Sequence, residues 1–265
     1  MLLSFFLPVV LACIVGVIAS FAVQGFIGFV SLAEEFLRGD SSLLFGFPSE
    51  IFIIAGPVIA GLILALILKL SAIGRWHGPP DSIIAAHAPA ARPDTEAGLL
   101  STLASAISLA GGASVGQYGP LVHFGGVIGD YVSKLTRDQT SPHILLACGS
   151  AAAISSGFGA PFAGLIFAHE VILRHFAIKA FAPILVSAVT AHTISEIFWA
   201  REPLLQTNVG GISNFYELFA LAFLGIFSGL LATLYMRGLT GYFPIPKKIP
   251  TKIAIGIEHL FVALS

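Results

Sequence analysis

Apolar residues run almost unbroken from Leu2 to Leu32, and the run closes at Glu34-Glu35. A second run, Phe47 to Leu70, is closed by Lys69 and Arg75. A helix needs about 20 apolar residues to cross a bilayer, so both predict spanning helices. The next stretch, Trp76 to Thr95, is polar and carries Pro79, Pro80, Pro89 and Pro93, so it holds at most a short helix. Thr95-Glu96 reads as a helix start, Gly98 to Leu109 is helical in pattern, and Gly111-Gly112 stops it. Ser114 to Gly119 is glycine-rich between apolar stretches, which predicts irregular backbone at membrane depth. Such backbone is tolerated only where protein buries it or where it lines a cavity. Pro120 suits the first turn of a helix to about Lys134, and Pro142 opens another to about Ser155. Gly157-Phe158-Gly159 is expected to break it, with a further helix from Pro161 to near Arg174. Phe176 to Trp199 and Phe215 to Arg237 complete the long runs. Beyond a Pro244 to Pro250 hinge, an apolar segment runs from Ile253 to Ser265.

The pattern therefore predicts an all-α, polytopic membrane fold of about ten unequal helices, several too short to cross alone. It shows no fixed-period repeat and no soluble domain. Composition agrees, with 56% hydrophobic and 10% charged residues and a mean hydropathy of +0.93, where soluble domains carry about 25% charged residues. The 28 glycines and 15 prolines point to close helix packing and to broken or re-entrant helices.

Charge and cysteines narrow the function classes. Net charge is −1, from 13 Lys+Arg against 14 Asp+Glu, and no basic run exceeds Lys247-Lys248, which argues against nucleic-acid binding. Cys13 and Cys148 lie in apolar runs and read as small hydrophobes. Val10-Leu11-Ala12-Cys13 loosely suggests a lipoprotein cleavage site. No Lys or Arg precedes it and the apolar run continues to about Val30, so a retained first membrane helix is expected. Lys69, Arg75, Lys247, Lys248 and Lys252 are candidate cytoplasmic flanks.

Three features carry candidate chemistry. The first is Gly112-Ala113-Ser114-Val115-Gly116-Gln117-Tyr118-Gly119-Pro120. A glycine-rich turn feeding a helix start presents unpaired N–H groups and the positive end of a dipole. That binds an anion without a fixed cation, which in a membrane permits release. A glycine-rich helix crossing is the alternative. The second, Trp76-His77-Gly78-Pro79-Pro80-Asp81-Ser82, is also a turn into a short helix. Its His77 is either an anion donor or an interfacial loop histidine. The third runs from Gly149 through Gly157-Phe158-Gly159-Ala160-Pro161-Phe162-Ala163-Gly164 to His169-Glu170. Glu170 is either an intramembrane proton carrier or a helix-end charge four residues from Arg174. His169-Glu170…His175 superficially suggests a zinc hydrolase, but histidines six apart on a helix sit about 240° around it. No enzyme and no cofactor are expected.

These three features resemble, in order and rough spacing, the signature regions of the CLC chloride channels and proton-coupled exchangers. Those regions typically read G-S-G-I-P, G-R-E-G-P, and a small-residue stretch ending F-N-A-P-L-A-G before a glutamate. The resemblance is densest from about Trp76 to Phe198. It implies a fold of two inverted halves built from broken and tilted helices, of which this chain holds the first (1–246) and the start of the second (247–265). It implies an anion site of His77, Gly78, Gly116, Gln117, Tyr118 and Gly119, with chloride or a similar small anion as transported ligand. It also implies a homodimer formed partly by Pro161 to Trp199, in a multi-pass bacterial inner membrane. Two departures stand out. Tyr118 replaces the gating glutamate, and its usual pKa of about 10 prevents it from acting as an anionic gate near neutral pH. His77 stands at the anion-coordinating serine, leaving the Gly78 N–H as a donor. Glu170 falls near an internal proton-accepting glutamate. The resemblance thus favours an uncoupled channel, with a proton-coupled exchanger, or a non-conducting half that needs a partner chain, as alternatives. The family's later G-x-F-x-P loop is not found, so the sequence reads as stopping inside the first helix of the second half.

Overall fold

The computed structural model describes residues 2–38, 49–71, 73–88, 92–113, 116–199 and 215–242. Nine α-helices occur among them: α1 (Leu2–Arg38), α2 (Ser49–Leu70), α3 (Pro79–His87), α4 (Thr95–Ala110), α5 (Tyr118–Leu135), α6 (Pro142–Phe158), α7 (Pro161–Phe167), α8 (Ile178–Trp199) and α9 (Phe215–Tyr242). α7 continues as a π-helical segment, Ala168–Ile172. The fold is all-helical and of mixed helix length, as the hydrophobic pattern predicts. Among the described residues, three helices are long and apolar enough to span a bilayer, over Phe6–Glu35, Ile178–Trp199 and Tyr216–Tyr235. The expected boundary at 246/247 and the apolar segment from Ile253 lie outside the described residues. α1 to α8 belong to one compact unit and α9 to a second.

α6 is the centre of the first unit. Every residue from Leu145 to Gly157 is buried, the signature of a helix that is apolar all round. α5, α8, α1 and α7 pack around it. The closest approach is to α5, where glycines let the two backbones touch. A β-carbon on Gly149 would overlap the Gly125 carbonyl, and one on Gly129 would overlap the Leu145 carbonyl. Small polar groups fasten the other crossings. Ser187 Oγ donates to Cys148 O at 3.0 Å, Ser20 Oγ donates to Ala191 O at 3.0 Å, and Gln24 Nε2 donates to Ser156 O at 3.1 Å.

The expected break at Gly157-Phe158-Gly159 is made by its last residue. α6 runs through Phe158, and only Gly159 is left-handed, at φ +68°. Gly157 is helical and buried beside the Tyr118 ring, where a β-carbon would meet Tyr118 Cε1 at 3.3 Å.

The far end of α5 is tied to the segment before α4 through a buried carboxylate. Arg92 Nε donates to Asp130 Oδ1 at 2.8 Å and Arg92 Nη1 to Asp138 Oδ2 at 2.8 Å. Lys134 Nζ lies 2.8 Å from Asp130 Oδ2, off hydrogen-bond geometry, so that contact is a charge pair alone. Lys134 Nζ instead donates to Pro93 O at 2.9 Å. Arg92, and then Ser133, hold the Asp138 carboxyl below the usual carboxylate range, so this pairing persists through mild acid and is lost as pH falls through that lowered value. Asp130→Asn is expected to cost about 1–3 kcal/mol, discounted from a fully buried pair because Arg92 and Lys134 keep solvent contact. Thermal unfolding in detergent checks it, with the exposed Asp138→Asn as the milder comparison.

Candidate functional site

The start of α3 is built by Pro79 and Pro80, whose missing N–H groups fall where a first turn has no intrahelical partner anyway. Gly78 before them is extended, at φ −158° and ψ −166°. Asp81, at the third helical position, turns back and accepts the Gly78 N–H at 2.8 Å, while its own N–H donates to Gly78 O at 3.0 Å. Arg75 clasps the same carboxylate, with Nη1 3.1 Å from Oδ2 and Nη2 on Oδ1. This corrects the expectation that the Gly78 N–H stands free for an anion. A carboxylate of the chain already occupies it. The His77 N–H is likewise taken, by Ser101 Oγ on α4 at 2.9 Å.

α5 starts where the chain leaves Gly116, a left-handed glycine at φ +74°. Tyr118 is its first residue. The Tyr118 ring stacks on Phe158 with centroids 3.6 Å apart and planes at 22°. Its Oη is buried without a hydrogen-bond partner among the described residues. A buried hydroxyl left in that condition costs free energy and favours any acceptor that arrives.

Tyr118 forms part of the wall of a cavity of about 590 Å³. Pro79 from α3, Tyr118 and Gly119 from α5, Ile154 and Phe158 from α6, Ala160 and Ala163 around the start of α7, and Phe167 and Val171 beyond them line it. The starts of α3, α5 and α7 thus meet at one apolar chamber. Its lining side chains are apolar apart from Tyr118, whose hydroxyl is buried and not open to the chamber. Partial positive charge at helix starts, set in low dielectric, attracts an anion without the grip of a buried cation.

Of the residues expected at the site, Tyr118 and Gly119 line this chamber. Gly116 is exposed and Gln117 half-buried beside it. Gly78 adjoins Pro79, and His77 turns toward α5, its ring centroid 6.4 Å from that of His123. Glu170 lies in the π-helical segment and is exposed, whereas its neighbour Val171 reaches the chamber wall. Two polar residues beside the site were missed from sequence. Asp81 is one, although an acid at the third position of a proline-started helix is a capping signal. His123 is the other. It is 1% exposed, shares a 2.8 Å hydrogen bond between Nδ1 and Ser82 Oγ, and nothing in its local sequence distinguishes it.

The family model described as "Voltage gated chloride channel" matches residues 56–264. The chain belongs to that family. The voltage-gated ClC-type chloride channel ClcB of Escherichia coli O81 (strain ED1a) is 27% identical over 265 residues, a match taking in 95% of this chain and 63% of the relative. The ClcB of Shigella boydii serotype 18 is 26% identical over the same span. The chain thus spans about three-fifths of the length of these curated relatives. Among solved structures, a slow cyanobacterial Cl−/H+ antiporter superposes with a TM-score of 0.75 at 22% identity, covering 97% of this chain and 62% of that one. A CLC-type fluoride/proton antiporter superposes with a TM-score of 0.61 at 22% identity, covering 98% and 64%. These likenesses establish the CLC fold for the described helices. Membership in the family and the apolar spans make the chain an integral membrane protein.

Proposed function

We propose that the protein moves chloride or a similar small anion across a bilayer, passively, with Tyr118 standing as a neutral gate. The observation that carries this reading is Tyr118 at the start of α5, a wall residue of an apolar chamber whose Oη is buried and unpartnered among the described residues. The anion approaches the first turn of α5 at Gly116, Gln117, Tyr118 and Gly119, accepts the phenolic O–H, and leaves readily because no cation holds it. His77 and Gly78 flank this place from α3. No acidic side chain lines the chamber among the described residues, so a proton arriving there meets no carboxylate. Glu170, exposed one residue from the wall, is the candidate for any proton route. The assembly is taken to be a homodimer in a bacterial inner membrane. Supporting this are the exposed apolar side chains Phe162, Ile166, Ile178, Phe181 and Ile197 on α7 and α8, and the bacterial source of the relatives.

The test is chloride efflux from liposomes holding the purified protein, with and without a proton gradient, for wild type and Tyr118→Glu. Wild type is expected to pass chloride downhill and to move none uphill under a proton gradient. A glutamate at 118 would set a carboxylate against the α5 amides and slow efflux about tenfold, ~1.4 kcal/mol of barrier. Uphill chloride movement by wild type would sink the uncoupled reading in favour of a proton-coupled exchanger. No movement at all would favour a half that conducts only with a partner chain.

A further inference from the structure

Four of the eight histidines gather where the last turn of α3 meets the turn after the π-helical segment. His87 ends α3 with both ring nitrogens on carbonyl oxygens, Nδ1 2.8 Å from Ile83 O and Nε2 3.1 Å from Leu173 O. Leu173 O is also 2.6 Å from His175 Nδ1, and His169 Nδ1 is 3.3 Å from His175 O. His143, at the start of α6, lies within electrostatic reach of His87 and His175. Arg174 bends the chain at this point, left-handed at φ +56°.

A carbonyl oxygen can only accept. A neutral imidazole has one N–H, so at His87 it satisfies one carbonyl and turns a lone pair on the other. Only the imidazolium donates to both. The Ile83 bond lies within α3, but the Leu173 bond leaves it and ties α3 to the segment that follows α7. α3 has nine residues, too few for a helix to hold its place by itself. Its other end carries Pro79, on the chamber wall.

We propose that His87 is a positioning residue whose proton pins α3. As imidazolium it bridges the Ile83 and Leu173 carbonyls and holds the Pro79 end of α3 against the chamber. When it loses the proton one of the two bonds goes and α3 loosens. The other titratable and charged groups facing this region are His143 on α6, His169 in the π-helical segment with the exposed Glu170, and Arg174 and His175 in the turn. From α5 there is His123, bonded to Ser82 of α3, and the Arg75–Asp81 pair stands at the opposite end. Any consequence for anion flux rests on the conduction proposed above, while the pinning itself does not.

Hydrogen–deuterium exchange of α3 amides in the full-length protein, measured from pH 8 to pH 5 and corrected for intrinsic rates, reads the pinning directly. Wild type is expected to gain about tenfold protection in acid, the value of one charge-assisted hydrogen bond. His87→Gln, which can donate to one carbonyl at a time, should lose this pH dependence. His87→Arg, always charged and with several donors, should stay protected across the range. His175→Gln should retain the wild-type slope. If His87→Gln keeps the full slope, or if His175→Gln alone removes it, the proposal is overturned. Chloride efflux over the same pH series separates the two readings. Exchange that follows the pattern in a protein that passes no anion upholds the pinning and overturns the conduction.

Discussion

Gly149→Ala is expected to lower the apparent Tm of the purified protein by roughly 10 °C or more. The added methyl would occupy the place of the Gly125 carbonyl, with Gly129 N as a further neighbour at 3.1 Å. The obstacle is backbone on a neighbouring helix, so no rotamer change relieves it and α5 must shift bodily. Overpacking of this kind costs about 3 kcal/mol or more when backbone has to move. Gly25→Ala is the control. It too lies inside a helix, but its β-carbon would meet nothing within 4 Å, and helix propensity should make the change neutral or favourable by up to about 1 kcal/mol. Equal melting of Gly149→Ala and wild type would mean that α5 and α6 are not in backbone contact. The same shift would drag Tyr118 away from Phe158, so any residual flux in Gly149→Ala should respond less to changes at Tyr118.

Asp81→Ala is expected to tighten anion binding about tenfold, ~1.4 kcal/mol. The change frees the Gly78 N–H and leaves Arg75 without its carboxylate partner, so the start of α3 turns from self-neutralised to positive. The gain is tempered because Arg75 is well exposed and screened, and because α3 loses a cap worth about 1 kcal/mol. Asp81→Asn separates the contributions, since its amide oxygen still accepts from Gly78 while the charge is gone. Titration calorimetry with chloride distinguishes the cases. A gain in both variants means the charge matters, and a gain in alanine alone means the freed N–H matters. No gain in either would place Gly78 outside the anion's reach, leaving α5 to hold it.

Much of this architecture could be read from the chain because hydrophobic runs and prolines mark helices locally. Pro79, Pro142 and Pro161 each sit at the first position of a helix, as their fixed φ dictates. Tyr118 was legible as the residue heading a glycine-rich turn, and the structure puts it on the chamber wall. What escaped reading depends on contacts between distant segments. That Gly157 lies against the Tyr118 ring is one such contact. The π-helical turn at Ala168–Ile172 has no local mark, and it accompanies the placing of Val171 on the chamber and Glu170 outside it. The Gly78 amide looked free because a donor's availability depends on which side chain folds back onto it. His87, His143, His169 and His175 are spread over 89 positions of sequence and become neighbours only after α3, α6 and the π-helical segment have packed.

The polar fastenings of α1 have a consequence for the order of assembly. The α5–α6 contact joins neighbours separated by a six-residue turn and can form as soon as both have left the ribosome. Ser20 and Gln24 on α1, by contrast, find their partners 171 and 132 residues later, at Ala191 and Ser156. During synthesis α1 therefore enters the bilayer with a hydroxyl and a carboxamide facing lipid, each costly in hydrocarbon without a partner. It has to wait for α6 and α8, sheltered at the insertion machinery or lying shallow at the interface, before it can settle at its final depth.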